Sequence, residues 1–184
     1  IFLRPLSPYG FAIKNKQASK YNVTRWFEFY KEGLDYVLEI NKQGHRFVEL
    51  YTELIVNKLL SPFSTGYVDL QSPSGAAISA IVYNYDGDIY ASDESRMLAE
   101  MGDKKFRLGN VHNDCYENVM LSDILLDTLE STLSESIPMC ADCGFLPYCG
   151  TDPVYHYATQ GDVVGNKAMS GICTKNMNIF RQVI

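Results

Sequence analysis

The chain has 184 residues, 46% of them hydrophobic and 21% charged, an ordinary globular composition able to bury a sizeable core. Its net charge of −6 speaks against nucleic acid or an anionic membrane as partner, since either calls for a basic patch and no basic stripe runs along the sequence. No apolar run approaches a membrane span and no secretory leader is visible, so a cytoplasmic location is expected.

The chain opens on a strand-like run, Ile1 to Leu3, with no initiator Met, and so reads as a piece of something longer. Two prolines and a glycine in Arg4-Pro5-Leu6-Ser7-Pro8-Tyr9-Gly10 turn that strand into a loop. Residues 24–41 carry Trp26, Tyr30, Leu34, Val37 and Leu38 at helical spacing, with Asn22 or Thr24 as N-cap and Gly44 past the end; an amphipathic helix is predicted. A second helix is expected over 47–60, where Phe47, Leu50, Tyr51, Leu54, Ile55 and Leu59 share a face and Pro62 enforces the stop. Both stripes read as core packing.

The Ser-, Pro- and Gly-rich stretch 61–75 reads as a domain boundary. Beyond it the apolar period changes to two, and runs 77–83 and 88–91 flank Asn84-Tyr85-Asp86-Gly87, a strong hairpin signal. A short helix around 95–101 and an extended piece, Phe106-Arg107-Leu108-Gly109-Asn110, follow. Ser122 then caps a helix with Leu125, Leu129 and Leu133 on one face and Asp123 near its positive N-terminus. A last helix is expected past Cys173, with Met177, Phe180 and Ile184 turned inward.

Four of the five cysteines, Cys140, Cys143, Cys149 and Cys173, form the pattern C-x2-C-x5-C-x23-C. Two thiols separated by two residues grip one centre through a tight turn, and two more returning from elsewhere can close the shell. Four soft thiolates suit an iron–sulfur cluster or a zinc ion. Gly144 and Gly150 offer backbone freedom to a chain curling around a bulky centre. Two disulfides with a thiol left over, or buried thiols without metal, are the alternatives; the odd cysteine count, the close CxxC and the lack of a leader speak against disulfides. Cys115 reads as a free thiol, with an H-x2-C pairing to His112 as the other reading. His156 falls in the long loop to Cys173 and reads as a surface histidine, or else as a group that orients a sulfur or touches substrate; His45 reads as helix-end solvation.

The hairpin Asn84-Tyr85-Asp86-Gly87-Asp88-Ile89-Tyr90-Ala91-Ser92-Asp93, the later Leu108-Gly109-Asn110 and the C-x2-C-x5-C run ending in Cys173 resemble the SPASM domain of radical SAM peptide maturases, over residues 75–184. The opening Leu3-Arg4-Pro5-Leu6-Ser7-Pro8-Tyr9-Gly10-Phe11-Ala12, with residues 83–101, is more closely similar to the radical SAM maturase of the His-Xaa-Ser peptide system. The resemblance implies an α+β fold. Residues 1–65 would be the last strand and helices of a partial (β/α) barrel, and 75–184 a SPASM-type domain with a β-hairpin, helices and a cysteine-rich metal-binding loop.

A full SPASM domain carries two clusters. By resemblance, Cys140, Cys143, Cys149 and Cys173 are the ligands of one auxiliary [4Fe-4S] cluster, while the places of the other cluster's ligands hold Ser92, Pro153 and no cysteine between Ile1 and Val111. One ligand set is kept and the other is gone. Asp93 matches the hairpin-end aspartate implicated in sulfatase-type maturases as the base that takes a proton while the substrate radical is oxidised; its other reading is N-cap of the next helix. The C-x3-C-x2-C loop that cleaves S-adenosylmethionine does not occur, so S-adenosylmethionine and a further [4Fe-4S] cluster are expected in a preceding part, and this chain alone is expected to be inactive. Four protein ligands leave no iron open, which implies electron transfer or bracing rather than Lewis-acid chemistry. The implied partners are a peptide substrate, an electron carrier protein and a second radical SAM maturase. A four-cysteine zinc module that recognises peptides without redox chemistry, and a sulfatase-maturase-like protein, are the alternatives.

Overall fold

The computed structural model describes residues 1–10 and 22–184; Phe11 and Ala12 of the opening motif lie outside the described residues. Helix α1, Val23–Lys42, starts where Asn22 Oδ1 accepts from the backbone N–H of Thr24 (2.8 Å) and Arg25 (3.2 Å), relieving two donors that a helix start leaves open. It buries Trp26, Tyr30, Leu34 and Val37, whereas Leu38, expected on the same stripe, is half exposed. Helix α2, Leu50–Leu60, is shorter than the 47–60 expected, because Glu49 caps it from extended backbone and leaves Phe47 outside the helix and exposed.

The opening residues form no strand. Instead the Ile1 ammonium donates to Val48 O (2.7 Å), Leu50 N–H donates to Ile1 O (2.8 Å), and Leu3 N–H donates to Glu49 Oε1 (3.0 Å). Their neighbour at once enters α2, so no ladder can continue. Glu49 is the knot of this region: buried, it also accepts from Thr52 N–H, the Thr52 hydroxyl (both 2.7 Å) and the Tyr30 hydroxyl (3.2 Å).

Strands β1 (Val82–Tyr83), β2 (Asp88–Tyr90) and β3 (Arg107–Asn110) form an antiparallel sheet in the order β1-β2-β3. The hairpin falls where its turn residues predict: Asn84 N–H donates to Asp88 O (2.8 Å), and Gly87 takes φ +82°, which favours glycine. Its first strand is shorter than 77–83, since Ala77 adopts φ +55° and only an isolated bridge joins Ala76 and Ala80. Buried Asp88 locks the hairpin through Lys104 (2.7 Å), Arg107 (2.7 Å) and Asn110 (2.9 Å). Burial pushes its carboxyl up, but these donors outweigh burial and hold it well below the usual range.

Helix α3, Asp93–Ala99, is capped by Ser92, which exchanges bonds with Ser95 in a capping box, so Asp93 is its first residue and not its N-cap. Helix α4, Tyr116–Met120, has no counterpart among the predicted elements; α5, Asp123–Glu130, is capped by Ser122 as expected, and Leu133 lies beyond its end, exposed. Helix α6, Pro153–Gln160, lies where a loop is expected, with Asp152 as cap and Pro153 at its first position. Helix α7, Gly171–Val183, begins two residues before Cys173, and Ile184 at its end is exposed rather than inward.

Three apolar clusters hold these elements. Ile179 and Phe180 of α7 join Trp26, Tyr30, Leu34, Tyr51, Ile55 and Leu70, tying the end of the chain to α1 and α2. Full burial of a side chain such as Phe180 contributes about 1.5–3 kcal/mol. Ile89, Ala91 and Leu108 of the hairpin region pack on Val119 and Leu125, and Tyr9, Leu98, Phe106 and Val154 join α3 to α6. No described helix is long and apolar enough to cross a membrane.

Candidate metal centre

Cys140, Cys143, Cys149 and Cys173 line one cavity of about 380 Å³. Local backbone chemistry sets each in place. Cys140 and Ala141 N–H both donate to Ile137 O (3.0 Å), and Cys143 N–H donates to Cys140 O (2.9 Å), so the CxxC forms a tight turn. Met139, just before it, takes φ +71°, a backbone that costs a non-glycine residue on the order of 1–3 kcal/mol. A 3-10 turn, Leu146–Tyr148, then delivers Cys149, whose N–H donates to Phe145 O (3.0 Å). Cys173 sits in the first turn of α7, where the helix end favours negative charge, and its N–H donates to the capping Ser170 Oγ (3.3 Å).

The two glycines of this stretch serve differently from the expectation. Gly150 has no left-handed φ; it is needed because the chain presses on the backbone of residues 69–71, and a Cβ would stand 2.5 Å from Gln71 N and 2.6 Å from both Asp69 O and Gln71 O. Gly144 has open space around it.

Burial pushes the thiols of Cys140, Cys149 and Cys173 up, and each is pushed further by the neighbouring sulfurs. Lys167, buried and donating to Val164 O, lines the same cavity, as does Arg181; burial lowers the Lys167 ammonium while the thiols pull it back up. Asn176, fully buried, donates from Nδ2 to Cys149 Sγ (3.5 Å) and accepts at Oδ1 from the Tyr51 hydroxyl (2.8 Å). Ionised together around one cavity these thiolates repel, and a cationic centre between them offsets that repulsion.

Size bears on which centre fits. Among the described residues no three His, Cys, Asp or Glu side chains converge to hold a single metal ion. The cavity equals roughly a dozen waters' share of the liquid, about 30 Å³ each. That room, walled by Phe145, Leu146, Met177 and Phe180, fits a polyatomic centre better than one ion whose thiolates must stand about 2.3 Å away.

A second, smaller cavity of about 60 Å³ lies on the other side of Tyr51 and α7. Asp69, Glu94 and Asp152 face Arg4 and Lys175 across it. The Lys175 ammonium lies 4.5 Å from the centroid of the Tyr51 ring, and burial lowers its pKa. Burial raises Asp69 and Asp152, with Asp69 drawn back by Lys175 and Arg4. Two buried donors, the Tyr9 hydroxyl and Trp26 Nε1, line this cavity without a hydrogen-bond partner among the described residues.

The remaining expected site residues are dispersed. Asp93 is exposed and holds Arg96 (2.8 Å); it lines neither cavity, while its neighbour Glu94 lines the smaller one. His156 is fully buried on α6, not a surface loop residue: Nδ1 faces Asp152 O (2.8 Å) and Nε2 faces Ser170 Oγ (2.9 Å). A carbonyl only accepts, so Nδ1 carries the proton and Nε2 accepts from Ser170. Cys115 is exposed with Glu117 as its sulfur's partner at 3.9 Å, and His45 is exposed past α1. Sequence reasoning missed Asn176, Lys167 and Tyr51; position i+3 from a helical cysteine was the available signal for Asn176.

No family model and no curated relative matches the chain. Solved structures do share its fold. A structure described as histidine-tagged anSMEcpe with bound AdoMet is similar with a TM-score of 0.63 at 16% identity, over 87% of this chain. One of native anSMEcpe with bound AdoMet and Cp18Cys peptide gives 0.62 at 16% identity, again over 87% of this chain. The match spans 39% and 41% of the length of those two structures. The chain is thus α+β, with a small three-stranded sheet, and shares the fold of part of these anSMEcpe structures.

Proposed function

We propose that this chain is the auxiliary-cluster portion of a radical SAM enzyme that modifies a peptide of the His-Xaa-Ser type. In this reading residues 1–65 close the partial barrel and 75–184 form the SPASM-type domain. Cys140, Cys143, Cys149 and Cys173 hold one [4Fe-4S] cluster, and the observation that carries this is their convergence on a single cavity too roomy for one ion. When bound, the cluster supplies a one-electron acceptor beside the substrate, from which a carrier protein takes the electron onward.

The chain's own residues do the rest. The CxxC turn and the start of α7 orient the sulfurs, and Phe145, Leu146, Met177 and Phe180 wall the cavity with apolar surface. The smaller cavity, with its unpartnered Tyr9 and Trp26 donors, supports a peptide-facing role, because an extended peptide offers carbonyl acceptors. Asp93, at the hairpin end, is the base in this reading, and Glu94 is the next candidate since it lines that cavity.

Metal and sulfide analysis of the full-length protein and a Cys143→Ser variant, both prepared without oxygen, tests the assignment. Equal iron and sulfide are expected in the wild type, enough for two clusters, and the loss of one cluster's share, about four irons and four sulfides, in the variant. Zinc alone after anaerobic reconstitution, or unchanged cluster content in the variant, refutes it. A second reading, a sulfatase-maturase type, draws on the likeness to anSMEcpe, and binding assays with a sulfatase-derived and a His-Xaa-Ser peptide separate the two.

A further inference from the structure

The sulfur of Cys149 has one side-chain N–H donor among the described residues, Asn176 Nδ2 at 3.5 Å. The amide's orientation is fixed from the far side, because the Tyr51 hydroxyl donates to Oδ1 at 2.8 Å. Turned the other way, the amide oxygen would face a thiolate, which has no proton to share. Asn176 and Tyr51 are both buried, so the bond between them does not compete with bulk water, while the bond to Cys149 opens onto the cavity. Burying a carboxamide in an apolar core costs free energy unless its polar atoms are used, and here both are committed to the line from Cys149 to Tyr51.

We propose that Asn176 is a positioning residue that sets the reduction potential of the centre held by Cys149, with Tyr51 holding its amide in the donating orientation. The inference rests on the cluster reading above. An N–H aimed at a ligating sulfur draws electron density from it and stabilises the more negative, reduced state, so hydrogen bonds to sulfur raise the potential. Lys167 and Arg181 line the same cavity and act in the same direction through charge, but among the described side chains only Asn176 donates an N–H to one of the four sulfurs. Tyr51 also lines the smaller cavity and carries Lys175 against its ring, so the line of bonds ends on the wall of the proposed peptide-facing site.

The test is a potentiometric titration of the anaerobically prepared holo-protein, followed by the electron paramagnetic resonance signal of the one-electron-reduced cluster. Asn176→Leu and Tyr51→Phe are compared with wild type at matched iron and sulfide content. Asn176→Leu is expected to lower the reduction equilibrium constant roughly tenfold, about 59 mV for one electron, and Tyr51→Phe to shift it the same way by less. Unchanged potentials in both variants with the cluster intact overturn the proposal. Loss of the cluster in Asn176→Leu with an unmoved potential in Tyr51→Phe also overturns it, since Asn176 would then be scaffold. A wild type whose iron and sulfide account for no cluster beyond the one expected in the preceding part refutes the cluster reading itself, and metal analysis tells that failure apart.

Discussion

Replacing Gly150 by Ala tests the geometry that seats Cys149. The added methyl carbon would meet three backbone atoms of residues 69–71 at 2.5–2.6 Å, so one side must move about 0.8 Å to reach ordinary contact. Neither side yields cheaply. Leu70 is fully buried and its carbonyl is held by Lys58, while Cys149 is tied through its N–H to Phe145 and through its sulfur to Asn176. Overpacking against side chains costs about 1–3 kcal/mol, and against backbone the upper end applies, about 3 kcal/mol. For a chain this long that is a fall in melting temperature of about 6–12 °C. Differential scanning calorimetry, paired with iron content after anaerobic reconstitution, should show both a destabilised protein and a depleted centre. Gly144→Ala, with nothing near its Cβ, should stay within about 0.5 kcal/mol of wild type. A Gly150→Ala protein as stable and as iron-rich as wild type would refute the close approach and with it the seating of Cys149.

Three further outcomes are expected. Glu49→Ala strands the N–H groups of Leu3 and Thr52, leaves the Thr52 and Tyr30 hydroxyls only each other, and should cost about 2–4 kcal/mol in urea unfolding, with Glu49→Gln much milder; a loss under about 1 kcal/mol would show that the knot contributes little. Burial and the nearby Lys167 charge lower the pKa of His156 to about 4, against the pull of the Asp152 carbonyl and Asp162, so the unfolded chain binds the proton more tightly. Its stabilising effect is therefore complete above about pH 6.5 and is lost as pH falls toward 4, about 3 kcal/mol in all; a His156→Gln variant with the same pH slope as wild type would contradict this. Under the proposed function, Asp93→Asn in the full-length protein should cut turnover at least about 100-fold if Asp93 is the base, whereas a fall confined to Glu94→Gln would give that role to Glu94.

The elements most legible in the sequence were those whose signals are local. Asn22, Ser122 and the Asn84–Gly87 turn mark their structures through bonds made within a few residues. What the sequence hid depends on distant groups. Helix α6 has a capping Asp152 and a Pro153 at its start, but its placement in a run without long apolar periodicity masked it. His156 looked solvated because its partners, an Asp152 carbonyl and Ser170, become visible only once α6 and α7 are packed. Gly150 is required by the backbone of residues 69–71, far away along the chain, and no local turn rule exposes that.

Helix α7 shows how one helical period can serve two sites. Cys173, Met177, Phe180 and Arg181 fall at i, i+4, i+7 and i+8 and all line the thiol cavity, while Ile172 and Lys175 line the smaller one. Asn176 and Ile179 are fully buried between these faces, and Ile179 and Phe180 also complete the core shared with α1 and α2. The helix is therefore the partition between the two cavities as well as the clamp on the first pair of helices. A substitution that rotates or frays α7 must disturb the thiols, the buried lysine and the core together, whereas one at Tyr51 can reach both cavities while leaving the helix in place. Because Tyr51 is itself part of the core, Tyr51→Phe, which keeps the ring and removes only the hydroxyl, is the substitution that releases Asn176 with least disturbance of the packing.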